Sequence, residues 1–446
     1  MNRNKVFSVF KGISILLLFV LAGCGKQPVE TGRIRVVVIG FDGASWVTID
    51  PLIRAGKLPF LKQLKETSAW ARFKTFKPTK SNVVWTSIAS GKTMLKHGIL
   101  DFVYLKKKGI KVPFTKSNRL APMLWQILDL YNKRSVVLNW WVSHPPDKIN
   151  GIMISDRFRK ITTTKPEFLE EYRNSVYPPD RFDELVKLGD RNRKYLKVLK
   201  KTGLPDYVAQ YYTHYPEGNH HQIPVLNVFP RLIKYDATIE DASRYLARRE
   251  KFDLLATYFR FPDIIQHFIT RFIEKDFNAR LMNLDFDAPE SEAFLKDATR
   301  QISMLMEPAY LYMEKILKKY MSDPKLKDAY FFIMSDHGFS LTPDGYDHYH
   351  LPPGFEPPDG FLIIRGPQIK KGKISQASIY DIAPTILSLF DLPVGKNMDG
   401  RVLREIFNLK RKTRYRTYKL KKEKILHDEK YNREALKELE ALGYID

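Results

Sequence analysis

The sequence predicts an α/β fold: a doubly wound, mainly parallel sheet flanked by helices, with an inserted helical cap. Continuous apolar runs rich in β-branched and aromatic residues predict strands buried on both faces, as in a parallel sheet, at 35–39, 135–139, 254–259 and 330–334. Amphipathic helical patterns at 59–65 and 124–131 lie between the first two strands. Such alternation is typical of doubly wound sheets. With 446 residues, 44% of them hydrophobic, the chain can bury one large domain with insertions or two domains.

The start of the chain has the pattern of an export signal. A basic start precedes an apolar run at 13–21, which is too short to span a bilayer and ends in Leu21-Ala22-Gly23-Cys24. These four residues resemble the bacterial lipobox, whose cysteine becomes lipidated; the alternative is a chance cysteine in an uncleaved signal anchor. We predict a lipoprotein signal peptide at 1–23, a tether at 24–34, and an exported chain anchored by a lipid to a bacterial membrane. Because Cys24 is the only cysteine, an internal disulfide and thiolate metal ligands are excluded.

The net charge of +24 restricts the partners. Much of the excess lies at 401–424, which would be drawn to anionic headgroups by about 1 kcal/mol per exposed cation and would attract anionic substrates. A solvated basic surface without a partner is the alternative. No nucleic acid is expected, because the chain lacks an interleaved aromatic and basic motif and export separates it from genomic DNA.

Differences in composition divide the rest of the chain into a two-part core, an insertion and a basic C-terminal segment. We predict a catalytic core in two parts, 35–157 and 246–400. At 158–245 charged and aromatic residues mix without a strand period, which indicates an insertion that caps the site. The basic segment 401–446 ends in a predicted amphipathic helix that includes Leu436, Leu439 and Leu442.

Polar residues follow three of the predicted strands. Asp42 follows the first, Asp263 follows the strand at 254–259, and Asp336 and His337 follow the strand at 330–334. Ligands bind beyond the carboxyl ends of strands in open α/β sheets, so these side chains should converge. Three carboxylates so close repel one another unless a cation or protons occupy the site. Carboxylate and imidazole without thiolate suit zinc, manganese or a similar divalent ion.

Two further patterns offer ligands. Asp263 and His267 are four residues apart, so one face of a helical turn can present both to one metal ion, although a surface pair is the alternative. His348 and His350 lie before the apolar run 361–364 and offer a late histidine.

A Ser/Thr-rich turn at 78–81 runs into an apolar stretch and offers a nucleophile. At a helix N-terminus the Ser81 alkoxide would be favoured by the helix dipole and by a coordinated metal. Alternatively, Ser81 or Thr79 only caps the helix, which is a common role for both residue types.

Taken jointly, these motifs resemble the alkaline phosphatase superfamily, and the chain is most similar to its type I phosphodiesterase/nucleotide pyrophosphatase group over most of its length after Arg35. The resemblance implies an alkaline phosphatase-like fold and a hydrolase of phosphate esters, either phosphodiesters or phosphomonoesters. It implies a serine nucleophile, Ser81, and two divalent metal ions, with zinc expected and manganese as the alternative. One ion would be held by Asp42, Ser81, Asp336 and His337. The other would be held by Asp263, His267 and a late histidine, for which we choose His350 over His348; His97 matches a structural position.

The chain also departs from its relatives. Nucleotide pyrophosphatases usually have threonine as the nucleophile, so Ser81 leaves the type of ester open. Sulfatases need a Cys/Ser-x-Pro-x-Arg motif, whereas Ser81 is followed by Asn-Val-Val-Trp, which argues against a sulfatase. Two alternatives stay open: a phosphotransferase on the same scaffold acting on envelope lipids or glycans, and a non-catalytic, basic, membrane-associated binding protein, against which the intact ligand set argues.

Overall fold

The computed structural model describes residues 33–158, 169–188, 225–269, 277–348, 351–407, 412–421, 429–441 and 445. Residues Ile34–Asp446 group as one unit by their contacts. The strands are β1 Val36–Phe41, β2 Ala69–Lys74, β3 Val103–Leu105, β4 Lys111–Pro113, β5 Ser135–Leu138, β6 Gly151–Ile154, β7 Val176–Tyr177, β8 Leu254–Phe259, β9 Tyr330–Met334, β10 Ser340–Thr342, β11 Gly345–Asp347, β12 Gly360–Arg365, β13 Gly372–Lys373, β14 Ala377–Ser378, β15 Val394–Gly395 and β16 Tyr415–Arg416.

The helices connect these strands and cover both faces of the sheet. They are α1 Trp46–Arg54, α2 Pro59–Thr67, α3 Ser81–Ser90, α4 Met94–His97, α5 Leu124–Asp129, α6 Phe182–Val186, α7 Val225–Arg249, α8 Asp263–Ile269, α9 Phe277–Met282, α10 Ser291–Leu305, α11 Glu307–Met321, α12 Ile382–Leu389 and α13 Glu429–Ala441. No helix within the described ranges is both long enough and apolar enough to cross a bilayer.

The central sheet is mixed and mostly parallel. Its order within the described residues is β13-β2-β12-β9-β1-β8-β5-β6-β7, and β14 also pairs with β2. The strands β9, β1, β8, β5 and β6 are parallel to their neighbours in this series. β12 runs antiparallel to both β9 and β2, and β7 runs antiparallel to β6. The predicted doubly wound, mainly parallel sheet is confirmed, with antiparallel strands towards its margins.

Both faces of the sheet are buried, as the continuous apolar runs predict. Alternate residues of β1 point to opposite sides. One face buries Val37, Ile39 and Phe41 against α1, α2, α7, α10 and α11. The other buries Val36 and Val38 against α3, α5 and α12. β1 lies in the middle of the sheet, so packing on both faces fixes both of its ends. Asp42, the residue after β1, is therefore held in a defined position.

Several predicted segments lie partly or wholly outside the described residues. Of the signal peptide and tether, only residues 33 and 34 are described. Within the predicted insertion, 159–168 and 189–224 lie outside the described residues, so the cap stays a prediction. Helix α7 runs continuously across the predicted boundary at 245, and Ile239, Ala242 and Leu246 pack into the main core. In the described part of the basic segment, Arg401 forms an ion pair with Glu405 at 2.6 Å.

Candidate active site

The carboxyl ends of three adjacent strands carry the acidic residues of the site. Asp42 follows β1, Asp336 follows β9, and Asp263 begins α8 shortly after β8; all three are at most 1% exposed. β1 pairs with both β8 and β9, so the three strand ends are neighbours. A backbone hydrogen bond from Asp263 N to Asp42 O, at 3.0 Å, ties two of them together. The structure thus brings together the carboxylates that the sequence predicted to converge.

Ser81 is the first residue of α3 and is fully buried. Its hydroxyl donates a hydrogen bond to Asp42 Oδ1 at 3.3 Å. Neither Ser81 nor Thr79 caps the helix, because Lys80 is the N-cap residue and makes no side-chain capping bond, while the Thr79 hydroxyl donates to the His348 carbonyl. Ser81 therefore faces the carboxylates with the positive end of the helix dipole behind it, which favours an alkoxide there.

Asp42, Asp336 and His337 form the first group of candidate ligands. Their ligand atoms lie within 4.8 Å of one another. His337 Nε2 is 3.4 Å from Asp42 Oδ1 and 3.2 Å from Asp336 Oδ2. Asp336 Oδ2 and His337 Nε2 are buried and make no hydrogen bond with the described residues. Buried polar atoms that converge without hydrogen bonding are the arrangement expected where a cation binds.

Asp263, His267 and His348 form the second group. His267 Nε2 lies 3.4 Å from Asp263 Oδ2, and His348 Nε2 lies 3.7 Å from Asp263 Oδ1. His267 Nε2 and His348 Nε2 lie 3.3 Å apart. Two unprotonated nitrogens are both acceptors, so this distance is unfavourable unless a proton or a cation lies between them. His350, the late histidine chosen from the sequence, lies outside the described residues, so that choice stays a prediction; among the described residues, His348 is the late histidine near Asp263 and His267.

Hydrogen bonds orient the two stacked histidines of the site. The rings of His337 and His348 are parallel, with centroids 3.9 Å apart. His337 Nδ1 lies 3.1 Å from the Gly338 carbonyl, and His348 Nδ1 lies 3.0 Å from the Thr79 carbonyl. A carbonyl only accepts, so each Nδ1 carries the proton and each Nε2 is directed to the carboxylates. Fixing the ring through the other nitrogen is usual for metal-ligating histidines, so the residues present fit two divalent ions.

Charge in the site is unbalanced without cations. Burial and the nearby Asp42 carboxylate raise the pKa of Asp336 well above its usual range. For His337, burial acts to lower the pKa, but Asp336 and Asp42 outweigh it and raise the pKa to about 9. Burial and the neighbouring His337 lower the pKa of His348. Positive charge on His337 partly offsets the carboxylates, and a divalent ion would offset them more completely.

Two residues outside the predicted set shape the site. The Tyr258 hydroxyl donates to Asp42 Oδ2 and accepts a hydrogen bond from Trp141 Nε1 at 2.7 Å, which leaves Asp42 Oδ1 for Ser81. Gly43 has a φ of +70°, and a Cβ there would lie 2.9 Å from the Cα of Asp263. Neither was identified from the sequence, because Tyr258 lies within a buried apolar strand and one glycine in a turn is unremarkable.

His97 forms its side-chain hydrogen bonds within the described residues away from the carboxylates of the site. Its Nδ1 accepts from Ile99 N at 3.2 Å, so Nε2 carries the proton and donates to Ser87 Oγ at 2.9 Å. Burial and the nearby Lys92 lower its pKa to about 3, which keeps the ring neutral. These contacts agree with the structural position expected from the resemblance.

The model of the type I phosphodiesterase/nucleotide pyrophosphatase family matches residues 36–355. A comparison with curated proteins gives no significant match. Among solved structures, a 2-O GAG sulfatase is similar over 86% of this chain and 76% of its own, with 13% identity and a TM-score of 0.52. That likeness shows the alkaline phosphatase-like fold.

Two other solved structures have lower TM-scores. The phosphonoacetate hydrolase from Sinorhizobium meliloti has 15% identity, a TM-score of 0.38, and coverage of 69% of this chain and 57% of its own. Murine ectonucleotide pyrophosphatase/phosphodiesterase 5 has 11% identity, a TM-score of 0.41, and coverage of 81% and 96%.

Proposed function

Because the chain belongs to the type I phosphodiesterase/nucleotide pyrophosphatase family and is a hydrolase of phosphate esters, we propose that Ser81 is its nucleophile. We further propose that it uses two divalent metal ions, zinc in preference to manganese. The observation that carries the proposal is the hydrogen bond from the buried Ser81 hydroxyl to Asp42, which belongs to one of the groups of converging carboxylates and imidazoles. Asp42, Ser81, Asp336 and His337 would hold one ion. Asp263, His267 and His348 would hold the other.

Bound ions at these two groups would supply positive charge that stabilises the serine alkoxide and the anionic phosphate. The residues themselves position the reaction. Asp42 Oδ1 is the acceptor to which the Ser81 proton is directed. The Ser81 oxygen forms a bond to phosphorus, and the bond from phosphorus to the leaving oxygen breaks. The phospho-Ser81 that results is hydrolysed by water, which regenerates the serine and releases the phosphoryl product.

The fold also holds the proposed nucleophile in a fixed position. Ser81 is held at the start of a helix whose ten residues are all buried, so its hydroxyl position is fixed by packing. An ion held by the second ligand group would offset negative charge on the leaving oxygen. Holding nucleophile and charge-stabilising groups in place before reaction removes much of the entropic cost of the step.

The test is turnover of p-nitrophenyl phosphate and bis-p-nitrophenyl phosphate by the chain starting at Gly25, with zinc or manganese added. Ser81→Ala should abolish turnover and leave the fold intact. Ser90→Ala is the matched control, because Ser90 is a buried serine on the same helix that bonds only the Thr86 carbonyl. The preferred ester then distinguishes a phosphatase from a phosphodiesterase. Equal turnover in wild type and Ser81→Ala would refute the nucleophile, and a folded, metal-loaded protein with no hydrolysis would favour a phosphotransferase.

We also propose that the protein is exported and lipid-anchored at Cys24. The support is the Leu-Ala-Gly-Cys sequence after a short apolar run, at the single cysteine of the chain. An anchor of this kind would keep the enzyme at the surface of a bacterial membrane, with the described unit joined to it by the short tether that follows Cys24.

A further inference from the structure

A solvent-exposed hairpin formed by β3 and β4 carries large apolar side chains at its tip. The strands pair antiparallel, and Lys106 N–H donates to the Ile110 carbonyl at 2.9 Å to close the loop. Leu105 is 67% exposed and Ile110 is 59% exposed. Of the nine large hydrophobic side chains that are exposed in the described residues, five lie between positions 95 and 120: Leu95, Leu100, Leu105, Ile110 and Leu120. Two of them, Leu105 and Ile110, lie together at the end of the hairpin, and exposed apolar side chains that lie together are typical of an interaction surface.

The tip is also strongly basic. Lys106, Lys107 and Lys108 lie between Leu105 and Ile110, and all three are exposed. Among the described residues none of the three forms an ion pair. From position 91 to position 120 the chain has eight basic residues and one acidic residue, Asp101. The only acid of this segment therefore lies at the base of the hairpin rather than at its tip.

The base of the hairpin is bonded to both chain neighbours of Ser81, the proposed nucleophile. Asp101 forms an ion pair with Lys80 at 2.5 Å, and its carbonyl accepts from Asn82 Nδ2 at 2.5 Å. Lys80 and Asn82 are the residues on either side of Ser81. The next residue, Phe102, packs against Trp141, which bonds the Tyr258 hydroxyl in the site. The hairpin consequently projects from the rim of the candidate active site.

We propose that the β3–β4 hairpin docks onto an anionic lipid surface, with Leu105 and Ile110 inserted among the headgroups and Lys106, Lys107 and Lys108 against their negative charges. Apolar side chains beside lysines match the layered chemistry of a bilayer interface. A tip with two exposed apolar side chains is too small for a stable protein–protein interface, which needs roughly 1,000 Å² of well-fitted surface. A bilayer needs no matching shape, so it is the occupant that the charge and size of this tip favour.

Docking through this hairpin has a consequence for the substrate, which rests on the proposed function. Because the hairpin base contacts both neighbours of Ser81, docking holds the site close to the headgroup layer. The substrate class is then a phosphate ester carried by a lipid headgroup. This surface is distinct from Cys24 and from the basic segment at 401–424, so it can be tested on a chain without the lipid.

The first test is co-sedimentation of the chain starting at Gly25 with vesicles of phosphatidylcholine alone or of phosphatidylcholine mixed with phosphatidylglycerol. Wild type should bind only the anionic vesicles. The triple variant Lys106→Gln/Lys107→Gln/Lys108→Gln should bind about a hundredfold more weakly. The double variant Leu105→Ser/Ile110→Ser should bind about tenfold more weakly or worse. Wild-type binding that is absent, or that is equal for neutral and anionic vesicles, would overturn the proposal.

Matched control variants keep the test specific. Leu130→Ser/Met282→Ser removes two side chains that are 62% and 70% exposed elsewhere on the surface. Lys327→Gln/Lys370→Gln/Lys371→Gln removes three exposed lysines at the opposite edge of the sheet, since Lys327 precedes β9 and the other two follow the antiparallel β12. Both controls should bind anionic vesicles like wild type. If they lose as much binding as the hairpin variants, the attraction comes from overall charge or general hydrophobicity and the hairpin is not the docking surface.

The second test separates docking from catalysis. Hydrolysis of phosphatidylglycerol in vesicles, measured as release of glycerol phosphate or of glycerol, should fall in the hairpin variants, while their turnover of a soluble nitrophenyl ester stays at the wild-type rate. Hydrolysis of the soluble ester without any vesicle binding would overturn the docking proposal and leave Ser81 chemistry intact. Hairpin-dependent binding without hydrolysis of either ester would support docking and count against the proposed function.

Discussion

Replacing Asp336 by asparagine should stabilise the metal-free protein at neutral pH, whereas replacing Asp263 should destabilise it. Burial, and then the charge of Asp42, raise the pKa of Asp336, so the charged carboxylate opposes folding increasingly as pH rises above the usual carboxyl range. An amide removes that cost. Burial also acts to raise the pKa of Asp263, but His267 outweighs it and the pKa is lowered. The ionised Asp263 therefore stabilises the folded protein at pH values above the usual carboxyl pKa. This stabilisation is lost as the pH falls through the lowered pKa of Asp263 in the folded protein.

The rise in Tm on addition of zinc should become smaller in both variants. The size of this rise depends on the unfolding entropy, which is proportional to the number of residues. An ion at a hundred times its Kd stabilises the folded state by about 2.7 kcal/mol. For the unit Ile34–Asp446, at about 2.1 cal/mol/K per residue, the unfolding entropy is about 0.9 kcal/mol/K. Each ion therefore raises Tm by about 3 °C, and two ions raise it by about 6 °C. Each variant removes a ligand from one group only, so about half of the response should remain.

The assay is thermal unfolding at neutral pH, first with a chelator and then with zinc. Asp328→Asn serves as the matched control, because Asp328 is exposed and lies before β9 at the opposite edge of the sheet. It should change neither the metal-free Tm nor the response to zinc. If Asp336→Asn lowers the metal-free Tm and retains the full zinc response, then Asp336 is neither repelled by Asp42 nor a metal ligand, and the reasoning is refuted.

Three further changes test other parts of the account. His348→Ala should halve the zinc content of the purified protein and His350→Ala should leave it unchanged, as measured by atomic emission; the reverse result would move the ligand to His350. Cys24→Ser should abolish incorporation of labelled fatty acid during expression in bacteria, and undiminished labelling would show that Cys24 is not the lipidated residue. Asp147→Asn should lower the free energy of unfolding by about 3–5 kcal/mol, because it removes the carboxylate that lies 2.6 Å from the buried Arg119 guanidinium. Denaturant titration measures this; a loss below about 1 kcal/mol would contradict a buried ion-pair role.

The sequence predicted four strands of the ten-stranded central sheet and the acidic residues that follow three of them, because both depend on local patterns. A buried strand is visible in the sequence as a continuous apolar run, and so is the acidic residue that follows it. Examples are β1 with Asp42 and β9 with Asp336. The spacing of Asp263 and His267 likewise predicted their shared face, and α8 presents them together.

The features that sequence reasoning missed depend on contacts between distant segments. Whether Ser81 caps its helix or faces a carboxylate depends on where Asp42 lies, and only the fold shows this. His348 is oriented by its hydrogen bond to the Thr79 carbonyl, a contact between distant segments, while the choice of His350 as the ligand stays a prediction. Tyr258 reaches Asp42 only because β8 pairs in register with β1. Single-sequence patterns carry no information about such pairings.

The most direct test of the central claim is trapping of the phosphorylated serine. The enzyme is mixed with a phosphate ester that it turns over, quenched in acid, and digested, and the peptide that contains Ser81 is analysed by mass spectrometry. We predict a phosphoryl adduct on Ser81 in wild type and in Ser90→Ala, and no adduct and no turnover in Ser81→Ala. Turnover in Ser81→Ala, or an adduct on another residue while Ser81 stays unmodified, would contradict the assignment of Ser81 as the nucleophile.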